Sequence, residues 1–178
     1  MSIWFTSDTH FGHANIIRYC DRPYTSLSEM DEGLIKNWNQ VVHPNDNIYH
    51  LGDFILGGEE QASAYFSRLN GRISVVPGGH DKGWVSKREY VSKSGHPIVI
   101  LPPLVTVKLN IPRVNQSQLM VLCHYAMRVW DRSHYGSWHL YGHSHCGLPA
   151  HNKSLDVGID CWNYFPVSLE KISGEIAT

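Results

Sequence analysis

Hydrophobic positions in the first half of the chain follow two alternating rhythms. Short β-branched and aromatic runs, Ile3 to Ser7, Ile48 to Leu51 and Arg72 to Val76, read as strands. Between the first two, Met30, Leu34, Ile35, Trp38 and Val41 recur at three- and four-residue steps after Ser26-Leu27-Ser28-Glu29, which has capping-box spacing, and this predicts a helix. Shorter helices are expected near Asn15 to Tyr19, from about Glu59 to Leu69 between Gly57-Gly58 and Asn70-Gly71, and from about Val85 to Lys93. From Pro97 onward the rhythm changes to short strands: Ile98 to Leu101, Val105 to Leu109, Leu119 to Cys123, Trp138 to Tyr141, Leu155 to Ile159 and Val167 to Leu169. Pro112 to Gln116 reads as a hairpin turn between the second and third of these. Strands alternating with helices, then strands alone, predict an α/β fold of two packed sheets flanked by helices.

Composition narrows the class. At 178 residues, 42% hydrophobic and 17% charged, the chain has the make-up of one globular domain, residues 1–178, without a disordered tract. The net charge of -1 gives no global attraction to nucleic acid, although nucleic acid is not excluded. No apolar run reaches membrane-spanning length and no signal-peptide pattern begins the chain, so a cytoplasmic protein without a membrane partner is expected. Cys20, Cys123, Cys146 and Cys161 are scattered, without a Cys-x-x-Cys pair, and are expected to be reduced thiols.

Candidate chemistry gathers where strands end. Asp8 and His10 follow Ile3-Trp4-Phe5, His143 and His145 follow Trp138 to Tyr141, His124 follows Leu119 to Cys123, and Asp53 follows Ile48 to Leu51 across Gly52. Residues two apart in an extended segment project to the same side, so each pair is expected to aim two ligands at one spot. Ligands of open α/β sheets bind beyond the carboxyl ends of strands, and the loops at Asp8, Asp53, His80, His124 and His143 can therefore meet in one cleft. Mixed imidazole and carboxylate donors suit Mn, Fe, Zn or Ni better than Mg or Ca. Two such ions close together can bind a phosphoryl group and activate water, which is the chemistry of phosphoester hydrolysis. Neither a Gly-x-Ser-x-Gly elbow nor a phosphate-cradling Gly-x-x-x-x-Gly-Lys loop is present to suggest otherwise.

The ordered motifs Asp8-x-His10, Gly52-Asp53, Gly78-Gly79-His80-Asp81, His124 and Gly142-His143-x-His145 resemble those of the calcineurin-like metallophosphoesterase superfamily. Ser7 to His13, His50 to Asp53, Asp156 to Asp160 and Pro166 to Leu169 are similar to a small bacterial and phage branch of it. The resemblance implies a four-layer sandwich of two mixed β-sheets flanked by α-helices, with two divalent transition-metal ions, manganese favoured, at the sheet edge. It assigns Asp8, His10 and His145 to the first ion, His124 and His143 to the second, and Asp53 as the bridge. His80 would protonate the leaving oxygen and Asp81 would orient it. This chain departs from the pattern at Gly79, where the family has an asparagine that ligates the second ion, so that site is expected to be weak or metal-selective.

His13, Arg18 and Arg22 follow the Asp-x-His loop and are the candidate contacts for substrate phosphate. His43 and His50 read as structural or exposed, and Trp130, His134, Tyr135 and Trp138 read as core or rim. The expected activity is hydrolysis of a phosphodiester, or else a phosphomonoester, in a nucleotide, a cyclic phosphodiester or a nucleic-acid end. The competing readings are a degenerate metal-binding regulatory or interaction module and a nuclease subunit that works only within a complex.

Overall fold

Two packed sheets share the apolar residues of the chain between two cores. The computed structural model describes residues 1–111 and 116–176. In the first sheet β1 (Ile3–Thr6), β2 (Asn47–His50), β3 (Arg72–Val75) and β4 (Val99–Ile100) are parallel, and β9 (Val167–Ser168) closes the far edge antiparallel to β1, in the order β4-β3-β2-β1-β9. The second sheet runs β5 (Leu104–Ile111), β6 (Gln116–Cys123), β7 (Trp138–Tyr141), β8 (Ser154–Asp156), with β5 and β6 antiparallel and the rest parallel. Both sheets are mixed, and helices flank them, as the α/β sandwich reading expects.

The period of two along each strand sorts residues to opposite faces. Ile48, Ile73 and Val75 face α1 (Ala14–Tyr19), α2 (Leu27–Val41) and α3 (Glu59–Phe66), where they meet Ile16, Met30, Leu34, Trp38, Ala62 and Phe66. Phe5, Leu51 and Val76 face the other way, onto Met120, Leu122, Trp138 and Leu140 of the second sheet. Each such side chain, fully buried, stabilises the fold by ~1.5–3 kcal/mol. Ser26 caps α2 as the sequence predicts, its hydroxyl accepting from the Glu29 amide at 3.2 Å, while the Glu29 carboxylate reaches past it to the Thr25 amide at 2.7 Å.

Four expectations change. Val85 to Lys93 forms turns after a one-turn 3-10 helix, Asp81–Gly83, because Trp84 and Tyr90 are both buried in the helix-side core and joined by a 2.7 Å bond from the Tyr90 hydroxyl to the Trp84 carbonyl. On a helix, residues six apart point about 120° away from each other, so the two rings could not share that core. The helix beginning at Glu59 ends at Phe66, short of Leu69. The strand expected to reach Ile159 stops at Asp156, and Ile159–Cys161 is a further 3-10 turn. The last strand stops at Ser168, whose hydroxyl accepts from the Lys171 amide and starts α4 (Leu169–Ile176), a helix that the periodicity left unread. The turn expected at Pro112 to Gln116 falls largely outside the described residues, although the antiparallel register Ile111 to Gln116 on either side of it agrees with a hairpin. Among the described residues no helix is long and apolar enough to cross a membrane.

Candidate metal centre

The expected ligands come together by a different local geometry from the one anticipated. Asp8, His10, Asp53, His143 and His145 lie in loops beyond strand ends, with φ of 58°, 50°, 54°, 65° and 46°. Strand alternation therefore does not aim them. A left-handed conformation is uncommon for residues with side chains and costs of order 1–3 kcal/mol, and it persists only where the surroundings over-determine it. Here they do: the Asp8 amide donates to the Gly52 carbonyl at 3.0 Å, the His10 amide to the Asp53 carbonyl at 3.0 Å, and the Gly142 amide to the His124 carbonyl at 3.0 Å. The His143 amide donates to Asp8 Oδ2 at 2.9 Å, which ties the two outer pairs to each other. Gly52 itself has φ of 96°, and a Cβ there would lie 2.6 Å from the Gly78 amide nitrogen and 2.7 Å from His124 Nδ1, so only glycine allows this approach.

Asp53 is the geometric hub. Its Oδ2 lies 3.4 Å from His124 Nε2, 3.7 Å from His10 Nε2 and 3.9 Å from His80 Nε2. Asp8 Oδ1 lies 3.9 Å from His10 Nε2. Donor atoms of Asp8, His10 and His145 are mutually within 4.8 Å, as are those of Asp53, His124 and His143, and those of His10, Asp53 and His80. Donors bonded at about 2.1 Å to one tetrahedral ion stand about 3.4 Å apart, so both expected sets would draw inward around an ion. Asp8 Oδ1, both His10 ring nitrogens and His124 Nε2 are buried without a hydrogen-bond partner. Such orphaned polar atoms cost free energy unless something coordinates them, and the residues fit divalent metal ions.

The remaining polar atoms hold these donors in position. His124 Nδ1 faces the Leu51 carbonyl at 2.7 Å and must donate to it, which leaves Nε2 free to ligate. His145 Nδ1 faces Asp160 Oδ2 at 2.7 Å to the same effect. Asp160 is held in turn by Arg22, whose Nε and Nη2 reach Oδ1 and Oδ2 at 2.9 and 3.0 Å, and whose Nη2 and Nη1 also donate to the Asp8 and Thr9 carbonyls at 2.7 and 3.1 Å. Asp156 braces the His143 to His145 loop through the Ser144 hydroxyl and the Cys146 amide. His50, buried, accepts from the Gly52 amide at 3.2 Å and faces the Thr9 hydroxyl at 3.0 Å, so it is structural, as expected.

Burial and charge pull the carboxylates apart. Burial raises Asp8 to about 7 against the opposing charges of His124 and His145. Burial acts to raise Asp53 as well, but its contacts with His124 outweigh that and hold it below the usual carboxylate range. His10 is lowered, mainly by burial, so its ring is neutral and available as a donor. Desolvation would lower His145, yet the hydrogen bond to Asp160 raises it.

Other predicted residues divide. His13 joins the cluster, its ring 5.4 Å from His10 and 5.8 Å from His80. His80 is half-exposed at the rim, its amide donating to Asp53 Oδ1 at 2.9 Å. Asp81 does not orient the His80 ring: its oxygens accept from the Asp53, Phe54 and Gly78 amides and the Trp84 indole, so it shapes the loop under Asp53. Arg22 is buried with its guanidinium committed, and substrate cannot reach it. Arg18 is exposed and lies over the Tyr19 ring, which in turn packs edge-on against His13. Trp130 and Trp138 are core, whereas His134 and Tyr135 are exposed. Cys146 and Cys161 are not free thiols but form a disulfide, their Cα atoms 5.3 Å apart, and Cys20 and Cys123 remain free. Asp160 was not singled out as a site residue, because only the fold brings it to His145.

Fold and site together define an α/β sandwich with a buried cluster of histidines and aspartates fit for metal ions. No protein-family model matches the sequence. The chain belongs to the family of the uncharacterized protein MJ1445 of Methanocaldococcus jannaschii, to which it is 33% identical over 180 residues, covering 96% of this chain and 88% of that protein. The crystal structure of the protein of unknown function AQ665 from Aquifex aeolicus shares the fold, with a TM-score of 0.69, 20% identity and coverage of 98% and 99% of the two chains. Phosphopantetheinyl hydrolase (PptH) from Mycobacterium tuberculosis overlays at a TM-score of only 0.33, with 14% identity over 75% of this chain and 48% of that one, a likeness too slight to bear on function.

Proposed function

We propose that this protein is a metal-dependent phosphoesterase with a dinuclear centre, acting on a phosphodiester in preference to a phosphomonoester. One observation carries the reading: a single carboxylate oxygen, Asp53 Oδ2, stands within 3.4 to 3.9 Å of imidazole nitrogens of His124, His10 and His80, with Asp8 and His145 grouped around His10 and with His143 beside His124. Asp8, His10 and His145 would hold one ion, His124 and His143 the other, and Asp53 would lie between them. Divalent ions bound there, manganese among the candidates, would draw in phosphoryl oxygens and lower the pKa of a water. The chain's own residues supply the rest. His80, exposed at the rim beside Asp53, would give a proton to the leaving oxygen, and His13, its ring 5.8 Å from that of His80, would contact the phosphate. His80 and His143 are both exposed, so a phosphate within a nucleotide or a nucleic-acid end can reach the cleft.

The test is a turnover assay with a nitrophenyl phosphodiester on the manganese-loaded chain, paired with metal analysis. His80→Ala is expected to keep its metal and lose about 100-fold or more of turnover, whereas Asp53→Asn loses both. Turnover unchanged in His80→Ala removes that residue from the mechanism. A wild-type chain that binds metal but hydrolyses neither ester class belongs instead to the binding-module reading.

A further inference from the structure

Gly79 leaves the second ion with three protein donors where the resembled family has a fourth, and the structure shows what stands in the vacated space. The φ of Gly79 is not in the left-handed region, so the backbone there does not require glycine. A Cβ built on it would meet the Tyr125 hydroxyl at 3.3 Å, with Asp53 Oδ1 beyond at 3.9 Å. Tyr125 directly follows the ligand His124, and its ring packs edge-on against both imidazoles of the second set, with centroids 4.8 Å from His124 and 4.8 Å from His143. Its hydroxyl has no hydrogen-bond partner among the described residues, and the side chain is 49% exposed, open to the cleft rather than buried in a core.

We infer that Tyr125 supplies the missing oxygen donor to the ion held by Asp53, His124 and His143, and that Gly79 and Tyr125 are a matched pair in which the absence of one side chain makes room for the other. This rests on the dinuclear reading above. Ligation exchanges the phenol O–H bond for a metal–oxygen bond and releases the proton to solvent, as binding to protonated ligands does. A phenolate with a carboxylate and two imidazoles is a hard, anionic donor set that favours manganese, iron or zinc over softer ions. The rings of His124 and His143 pack against the phenol on the side of the second ligand set.

The experiment titrates the metal-free full chain with manganese by calorimetry, for wild type, Tyr125→Phe, Gly79→Asn and the double variant, and records visible spectra of the ferric-loaded wild type and Tyr125→Phe. Wild type is expected to bind two ions. Tyr125→Phe should weaken one of them by about tenfold or more, the size of effect seen on removing groups that support metal ligands, and leave the other unchanged. Tyr125→Phe/Gly79→Asn should recover the lost affinity, because the amide oxygen enters the same space. Ferric wild type should show a phenolate-to-iron charge-transfer band that Tyr125→Phe lacks. Two ions bound equally well by Tyr125→Phe, with no ferric band in wild type, would overturn the assignment while leaving the dinuclear reading intact. Weakened binding without the band also overturns ligation, since the hydroxyl would then act through a water. A wild-type chain that binds no ion overturns both readings.

Discussion

The two halves of the cleft are built to different standards of rigidity. Around Asp8, His10 and His145 a chain of charged groups ties the loops together: Arg22 grips Asp160 with two nitrogens, Asp160 holds His145, and the same guanidinium pins the Asp8 and Thr9 carbonyls. Around Asp53, His124 and His143 the inner residues are buried, but His143 and Tyr125 are exposed and Gly79 contributes no side chain. A buried, buttressed site holds an ion in a fixed geometry, whereas an open one can exchange ligands with solvent or substrate. Under the proposed function, the first half would serve as the anchor and the second as the face open to substrate.

The comparison breaks most severely at Arg22. Arg22→Met leaves Asp160 buried with only His145 beside it, and the loss is expected to be ~3–5 kcal/mol in urea unfolding. A loss below about 1 kcal/mol, the range of an exposed ion pair, would show that the anchor does not depend on this clamp. Asp160→Asn is the gentler cut: it weakens the carboxylate behind His145 Nδ1 and should lower affinity at the first ion ~10–100-fold. Equal weakening of both ions in calorimetry would erase the distinction between the halves.

The smallest effect is on pH dependence. Burial raises Asp8 from 3.8 to about 7, so its protonated form favours the metal-free fold. That contribution is whole below about pH 4, is lost as pH rises through about 7, and is absent above it. His10 runs the other way: burial lowers it from 6.5, so its contribution is present above 6.5 and lost as pH falls. Comparing wild type with Asp8→Asn isolates the Asp8 share. The melting temperature of metal-free wild type should fall relative to Asp8→Asn between about pH 4 and pH 7, and parallel curves would mean that Asp8 is not held protonated.

Much of this was readable along the chain. The apolar runs and the spacing after Ser26 located the nine strands of the described residues, the last two drawn too long, and the principal helix, since both depend on residues near in sequence. Elements failed where contacts overrode local rhythm: Trp84 and Tyr90 folded Val85 to Lys93 into turns, and Ser168 began a helix where a strand was expected to continue. The types and order of Asp8, His10, Asp53, His124, His143 and His145 at strand ends were likewise enough to anticipate a shared cleft.

By itself, then, the sequence determined the strand and helix alternation and the candidate metal-ligating side chains, because each is a property of neighbouring residues, while the donor missing at Gly79 followed from the resemblance of its motifs. Only the tertiary structure decided that Arg22 is a buried clamp, that Asp160, 138 residues away from it, orients His145, that Cys146 meets Cys161, and that Tyr125 stands over Gly79. These pairings have no periodicity to betray them. They arise where loops from two sheets are brought together by cores whose packing energy comes from other residues.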